Sequence, residues 1–436
     1  MVDNTPNSLN TIPLKVVDWY NYGGITRDVE ICEFNKPFIK KSKISYILNN
    51  ELTKAVINAE VSISNPFDTK YETELKFYLN NKCLAEQKIL AEGEKVFKFK
   101  DIPVDDIDLW DINNGNLYDV KFEIKDDDLY DKIGFRKIET HDKNIYLNNK
   151  PVFIKGVNRH EQHPDWGFAV PDNIIKRDVQ IIKNLNCNFV RGSHYPNTHI
   201  LLDYLDREGI MFWSEIPMWG FPEEALNDPV TQARALKMLD EMVEQYYNHP
   251  SIVFWGLHNE IATQTEVAYN LTEKMYNLIK SKDTSRLVTY ASNRFDTDIC
   301  YKFADVICIN WYYGWYSGNL SDWKKQIGSM RGSLAERGFE NKAIILSEFG
   351  AAALYGSSTF NNDKWSMQYQ SDLVEEVIQD CIKEDGVCGT LVWHYCDAPS
   401  DKDIAKANGV NNKGLLDAYR RPKMAYYTVK ELYKNI

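Results

Sequence analysis

Two glutamates stand where an α/β barrel would keep its chemistry. Glu260 closes the run IVFWGLHNE, and Glu348 follows AIILS. Each comes directly after an apolar strand-like segment, so each would project from a strand end. Two carboxyl groups about 5 Å apart across one cleft can cleave a glycosidic bond with retention of configuration. One attacks the anomeric carbon. The other protonates the leaving oxygen and then activates water. The protonated partner needs a raised pKa, which apolar walls and a second carboxylate supply. Taken singly, a strand-end glutamate more often pairs with an arginine or caps the next helix. The Asn-Glu and Ser-Glu-Phe-Gly contexts together favour catalysis.

The elements that must position this pair can be read from periodicity. Up to about residue 150 the chain carries short alternating segments (KISYIL, AVINAEVSI, ETELKFYL, KVFKFK, YDVKFEI) separated by polar or Gly/Pro turns, which predicts a β-sandwich of immunoglobulin type. Beyond it, eight apolar runs alternate with helical patterns: VFIKGVN, NFVRGS, IMFWSEI, IVFWGLH, LVTYAS, VICINWY, AIILSEF and TLVWHYC. Helices are expected from Asp172, then over about 199–208, 228–247, 264–282, 321–339, 364–384 and 422–434. Eight strands with interleaved helices predict a (β/α)8 TIM barrel, with a doubly wound open sheet as the competitor. The expected fold is therefore multidomain, β plus α/β, with the sandwich over residues 39–140 and the barrel over 141–436. Polar residues collect at the strand ends, as a barrel active site requires: Asn158 to Glu161, Arg191, His194, Glu215, His258 to Glu260, Asn310 to Tyr312, Ser347-Glu348 and Trp393-His394.

Bulk properties exclude some classes. A formal net charge of −12 over 436 residues argues against a general nucleic-acid or anionic-membrane binder. No apolar run approaches ~20 residues, so no membrane span is predicted. The eight cysteines form no CxxC pair or metal spacing and lie mostly among apolar residues, which predicts reduced, buried thiols and suits a cytoplasmic protein.

GVNRHEQHPDWG, NFVRGSHYPNTHILLDYLDREGI, FWGLHNE and ILSEFG together resemble glycoside hydrolase family 2, in its β-glucuronidase branch. The resemblance runs over essentially the whole chain. It implies a retaining exo-β-glycosidase, with Glu260 as acid/base, Glu348 as nucleophile, and Asn259 on the sugar 2-hydroxyl. His160, His194 and Trp393 would line the sugar subsite. ICINWYYGWYSG resembles the same branch and implies that Tyr312 donates to the nucleophile and Tyr316 lines the pocket behind Asn310. Trp311 and Trp315 read better as rim packing.

The segment GVNNKGLLD decides the sugar. A glucuronide carries a carboxylate at C6, and Asn411 with Lys413 matches the Asn-x-Lys motif that the branch uses to contact it; charge-assisted hydrogen bonds of this kind are roughly twice as strong as neutral ones. The expected substrate is a β-D-glucuronide or another uronic-acid glycoside. No cofactor is expected, and no catalytic metal, because EIPMWG offers Glu215 without further oxygen ligands. The resemblance also implies a sugar-binding jelly roll at the N-terminus, of which residues 1–38 hold only a remnant. Within it, Asp18 matches an aspartate that reaches the sugar hydroxyls. An incomplete sheet invites self-association, so a homo-oligomer is expected. The short segment after EIPMWG points to an open leaving-group side and to larger or oligosaccharide substrates. The alternatives are a β-galacturonidase or β-galactosidase of the same family, or an inactive truncated fragment that only binds carbohydrate.

Overall fold

A computed structural model describes residues 3–400 and 406–436. Residues 1–2 of the expected N-terminal remnant and 401–405 of the expected barrel region lie outside the described residues.

Residues 3–37 form an extended strap without helix or strand. Seven strands follow: β1 Phe38–Leu48, β2 Lys54–Asn65, β3 Tyr71–Leu79, β4 Lys82–Ala91, β5 Gly93–Asp105, β6 Tyr118–Ile124 and β7 Asp127–Ile133. They make two antiparallel sheets, ordered β1-β2-β5 and β4-β3-β6-β7. Alternate residues of both sheets (Ile57, Val61, Ile63, Leu75, Phe77, Val120, Phe122) interdigitate in one buried core. Sequence periodicity misses β4 and β7. They are the two edges of the four-stranded sheet, and their charged residues (KCLAEQKILA, DDLYDKI) blur the alternation.

A meander of β8 Ile138–His141, β9 Asn144–Leu147 and β10 Lys150–Pro151 leads into the barrel. Its Ile138, Ile145 and Leu147, with Trp110, pack against the barrel's interior residues. Trp110 Nε1 donates to the Asp206 carbonyl at 2.7 Å, and Arg136 donates to the carbonyls of Pro250, Ile252 and Ser285. The sandwich is thus fastened to the barrel through buried backbone groups.

The eight barrel strands are β11 Ile154–Arg159, β12 Phe189–Gly192, β13 Met211–Glu215, β14 Ile252–Asn259, β15 Leu287–Ser292, β16 Val306–Asn310, β17 Ala343–Phe349 and β18 Val387–Val392, all parallel and closed by pairing of β11 with β18. Seven match the expected runs closely. The eighth ends at Val392, so Trp393 and His394 sit beyond the strand and not within it. Helices α1 Asp172–Asn184, α2 His199–Glu208, α3 Glu223–Leu226, α4 Pro229–Tyr246, α5 Glu266–Lys282, α6 Trp323–Glu336, α7 Met367–Lys383 and α8 Met424–Lys434 cover the barrel. Asp228 caps α4 through Val230 N and Thr231 N, with Pro229 at the first helical position. Thr265 and Ser366 cap α5 and α7 in the same manner. Their apolar faces and the outer barrel residues form one large core.

The strand β19 Ala398–Pro399 pairs antiparallel with β20 Val410–Asn411 above the barrel mouth. A buried network anchors the segment after it. Asp178 on α1, fully buried, accepts from Arg159 and from Arg420, and Lys423 Nζ meets Asp397 at 2.7 Å. GLLDAYRRPK therefore acts structurally, pinning the turn that carries Asn411 and Lys413. Six cysteines are buried as expected, but Cys32, in the strap, and Cys83, on the edge strand β4, are exposed.

Candidate active site

The C-terminal ends of the barrel strands bring Glu260, Glu348, Asn259, Asn310, His194 and Tyr312 into one hydrogen-bonded assembly, and His160 packs beside it on the His194 ring. Its hub is Arg191, which the sequence places at a strand end without giving it a role. Arg191 lies near the end of β12, fully buried. It grips both Glu215 oxygens (3.0 and 2.9 Å), donates to Glu348 Oε1 (2.7 Å), to Asn259 Oδ1 (2.7 Å) and to Asn158 Oδ1 (3.2 Å), and lies 4.5 Å over the Trp213 ring. Trp213 reaches that position because position 256 on β14 is glycine; a Cβ there would collide with the indole and with Glu215.

The two catalytic candidates sit in contrasting surroundings. Glu348, 4% exposed, accepts from Arg191 on one oxygen and from the Tyr312 hydroxyl (2.8 Å) on the other. Burial pushes its pKa up, and Arg191 and Tyr312 pull against that. Among the described residues Glu260 pairs with no cation and its only side-chain partner is the Asn310 amide (2.7 Å); burial together with the nearby Glu348 charge pushes it up to about 8. Glu260 also adopts a left-handed backbone, φ 52°, rare for a residue with a Cβ. Flanking bonds impose it: Glu260 N donates to Ala291 O, and Asn259 N to Met218 O. Strain of this kind, of order 1–3 kcal/mol, is held where the surroundings over-determine it.

Several buried polar atoms have no partner among the described residues: His160 Nε2, His194 Nε2, Asn259 Nδ2 and Trp19 Nε1. Their chemistry follows from their other bonds. Asn259 Oδ1 accepts from Arg191 and Asn310, so its free atom is the amide donor. The Tyr195 hydroxyl accepts from Glu161 N and donates to His160 Nδ1, leaving His160 Nε2–H as a donor. His194 Nδ1–H donates to Glu215 Oε1 (2.8 Å), leaving Nε2 as an acceptor. Burial depresses both histidines and keeps them neutral. Trp19 comes from the strap and packs on His160, His194 and Trp219, while Trp393 stacks on His194 at 5.0 Å. Unsatisfied buried donors and acceptors are costly in a folded protein and call for a ligand that supplies both. A polyhydroxylated ring does so.

The remaining predicted residues form a second cluster around β20. Asn411 Nδ2 donates to Asp18 Oδ2 (3.1 Å), Lys413 Nζ to the Tyr316 hydroxyl (2.7 Å), and Lys406 reaches both that hydroxyl (3.1 Å) and Asp18 (3.4 Å). Lys413 is 2% exposed and forms no ion pair among the described residues. Burial and the neighbouring Lys406 charge bring its pKa down to about 7. Trp311 packs on Phe295 and Tyr313, and Trp315 on Trp365, in keeping with rim packing.

A (β/α)8 barrel with two carboxyl groups of contrasting environment at its C-terminal mouth has the design of a barrel glycosidase. Family models agree. The one described as "Glycosyl hydrolases family 2, TIM barrel domain" matches residues 138–436, and "Glycosyl hydrolases family 2" matches residues 38–136. The chain belongs to glycosyl hydrolases family 2. It is 28% identical to a beta-galactosidase of Thermoanaerobacterium thermosulfurigenes over 99% of this chain and 59% of that protein, and 27% identical to a beta-glucuronidase of Streptococcus agalactiae over 96% of this chain and 72% of that one. Among solved structures it resembles a GH2 beta-galacturonidase from Eisenbergiella tayi bound to galacturonate (TM-score 0.93, 32% identity, 98% of this chain and 77% of that one). It also resembles a β-glucuronidase from Ruminococcus gnavus in complex with D-glucaro 1,5-lactone (TM-score 0.79, 27% identity, 91% and 68%). The chain thus spans about three-fifths of the first curated relative. No helix of the described residues is long and apolar enough to cross a membrane.

Arg191 should matter to stability as well as to chemistry. Arg191→Met is expected to lower unfolding free energy by about 3–5 kcal/mol, because Glu215 and Glu348 would be left buried without their cation. The midpoint of urea unfolding measures it. A loss under about 1 kcal/mol would show that the carboxyls protonate and relax without cost.

Proposed function

We propose that the protein is a retaining exo-β-glycosidase acting on β-D-glucuronides or closely related β-uronides. In this reading Glu348, ionised and aimed by Arg191 and Tyr312, attacks the anomeric carbon and forms a glycosyl ester. Glu260, protonated at neutral pH, gives its proton to the leaving oxygen. It then takes a proton from the water that hydrolyses the ester, which returns both groups to their starting states. Asn259 donates to the 2-hydroxyl, while His160 and His194 hold other hydroxyls. The observation that carries the sugar assignment is Lys413, a buried ammonium with no carboxylate partner among the described residues, beside Asn411, Tyr316 and Lys406. A C6 carboxylate supplies the missing counter-charge. Galacturonides are the second reading, supported by the similarity to the Eisenbergiella tayi protein; the two sugars differ only at C4. Comparing 4-nitrophenyl β-glucuronide, β-galacturonide and β-galactoside tests the assignment. Faster turnover of the galactoside than of both uronides would overturn it.

The pH profile separates the two titrating groups. Glu260 must be protonated to act as the acid, so kcat/KM on a neutral glycoside is expected to fall as pH rises through about 8. On a uronide the fall should begin near 7, where Lys413 loses its charge in the free enzyme. Glu260→Gln should remove the limb near 8 and slow poor leaving groups far more than 4-nitrophenol. Superimposable alkaline limbs on both substrates would separate Lys413 from uronate binding.

A further inference from the structure

Glu260 borders a cavity of about 570 Å³ that runs from Asn310, Tyr312 and Tyr316 of the sugar site to the turn after β15 and the aromatic segment after β16, with none of the site histidines in its wall. Outside the catalytic assembly that wall includes Asn293, Arg294, Asp296, Thr297, Tyr313 and Ser317. The volume lies within the ~300–1,000 Å³ of small-molecule sites. An acid residue must touch the leaving oxygen, so what opens beyond Glu260 is where the leaving group would lie.

The rim of this cavity is built rigidly. Asp298, fully buried, accepts from the Ser292 and Tyr290 hydroxyls (2.6 and 2.9 Å) and from Cys300 N (2.7 Å). The Arg294 carbonyl accepts from Thr297 N and Asp298 N, and Arg337 donates to Phe295 O at 2.6 Å. Arg294 is anchored by Nε on the Ile261 carbonyl (3.2 Å), and its two terminal nitrogens make no hydrogen bond or ion pair among the described residues. Asp296, two residues on, is exposed on the same wall.

Resting on the glycosidase reading, we infer that this cavity is a leaving-group subsite for a neutral, hydroxyl-bearing sugar residue. An apolar planar aglycone would desolvate Arg294 and Asp296 without giving either a partner, which is costly for charged groups. An anionic aglycone would satisfy Arg294 but meet the Asp296 carboxylate. A neutral pyranose offers donors to Asp296 and acceptors to Arg294, Asn293 and Thr297, and the wall residue Tyr313 offers an aromatic ring for its C–H surface. The natural bond cleaved would then join a terminal uronic acid to another sugar, and the product of the reaction would be a saccharide shortened by one residue.

The test compares two substrates of the same uronic acid: its 4-nitrophenyl β-glycoside, and the acid β-1,3- or β-1,4-linked to glucose. The disaccharide is expected to be cleaved. Arg294→Ala and Asp296→Ala are each expected to lower its kcat/KM roughly tenfold or more, and that of the aryl glycoside less than about threefold, because each removes a charged hydrogen bond to the leaving sugar alone. Cleavage of the aryl uronide without cleavage of either disaccharide, or equal losses on both substrates, overturns the subsite and leaves the glycosidase reading standing. Failure to cleave any aryl glycoside overturns the glycosidase reading instead. In that event saturation-transfer NMR of the disaccharide with the Glu260→Gln protein decides the subsite by itself: glucose-ring contacts that Arg294→Ala abolishes support it, and their absence from the start removes it.

Discussion

Glu348→Gln is expected to lower kcat on an aryl β-uronide by on the order of 10⁴-fold, about 5.4 kcal/mol of transition-state stabilisation. The substitution keeps the volume and leaves an amide oxygen for Arg191, which also retains Glu215, so the loss should not come from unfolding. What disappears is the nucleophile: a neutral amide does not attack the anomeric carbon, and one difficult step is no longer divided into two. Two measurements bind the loss to that cause. A 2-fluoro uronide with a good leaving group should label the unsubstituted protein on the peptide containing Glu348 and leave the variant unlabelled. Urea midpoints of the two proteins should agree to within about 1 kcal/mol. Label on Glu260, or on no residue, would reverse or remove the assignment of roles that rests on the contrast between a carboxyl held by Arg191 and Tyr312 and one held by an amide alone.

What can be read from the sequence follows from how each feature is encoded. Glu260, Glu348, Asn259 and Asn310 each stand at the end of an unbroken apolar run, and in a closed barrel all such ends point to one place. The turn carrying Asn411 and Lys413 is legible through its motif. Arg191 is visible at the end of NFVRGS, but its role is not local. It becomes a hub only because β13, β14 and β17 deliver Glu215, Asn259 and Glu348 to one guanidinium on β12. Glu215 reads in sequence as an incomplete metal ligand, whereas the structure commits both of its oxygens to Arg191 and sets His194 with one of them. Trp19 and Lys406 carry no periodic signal. Each acquires meaning through contacts between residues more than a hundred positions apart, as does the Asp18–Asn411 bond that ties the strap to the mouth. Edge strands β4 and β7 escape for the opposite reason: solvent on their outer sides removes the apolar alternation by which strands are read.

Lys413→Met is expected to move activity and stability in opposite directions. Its loss leaves near the substrate's carboxylate only the Lys406 ammonium, which is already paired with Asp18, so kcat/KM on the uronide should fall roughly 100-fold or more, while a neutral β-glycoside should change by less than about threefold. For stability the sign follows from the proton balance. Folding lowers the Lys413 pKa from 10.5 to about 7, so between those values the unfolded chain binds the extra proton, and the residue's contribution becomes less unfavourable as pH rises through that window. Near pH 7 the full cost is present. Methionine has a similar length and no charge to desolvate, and it should therefore raise unfolding free energy by roughly 2–4 kcal/mol at pH 7, a gain that shrinks toward pH 10. Urea unfolding at pH 7 and 9.5 measures both values. A variant that loses uronide activity and is also less stable at pH 7 would mean that Lys413 is held by partners the wild-type fold needs. A gain in stability with loss of uronide selectivity would identify a charge kept buried, at a cost to the fold, because the substrate brings the opposite one.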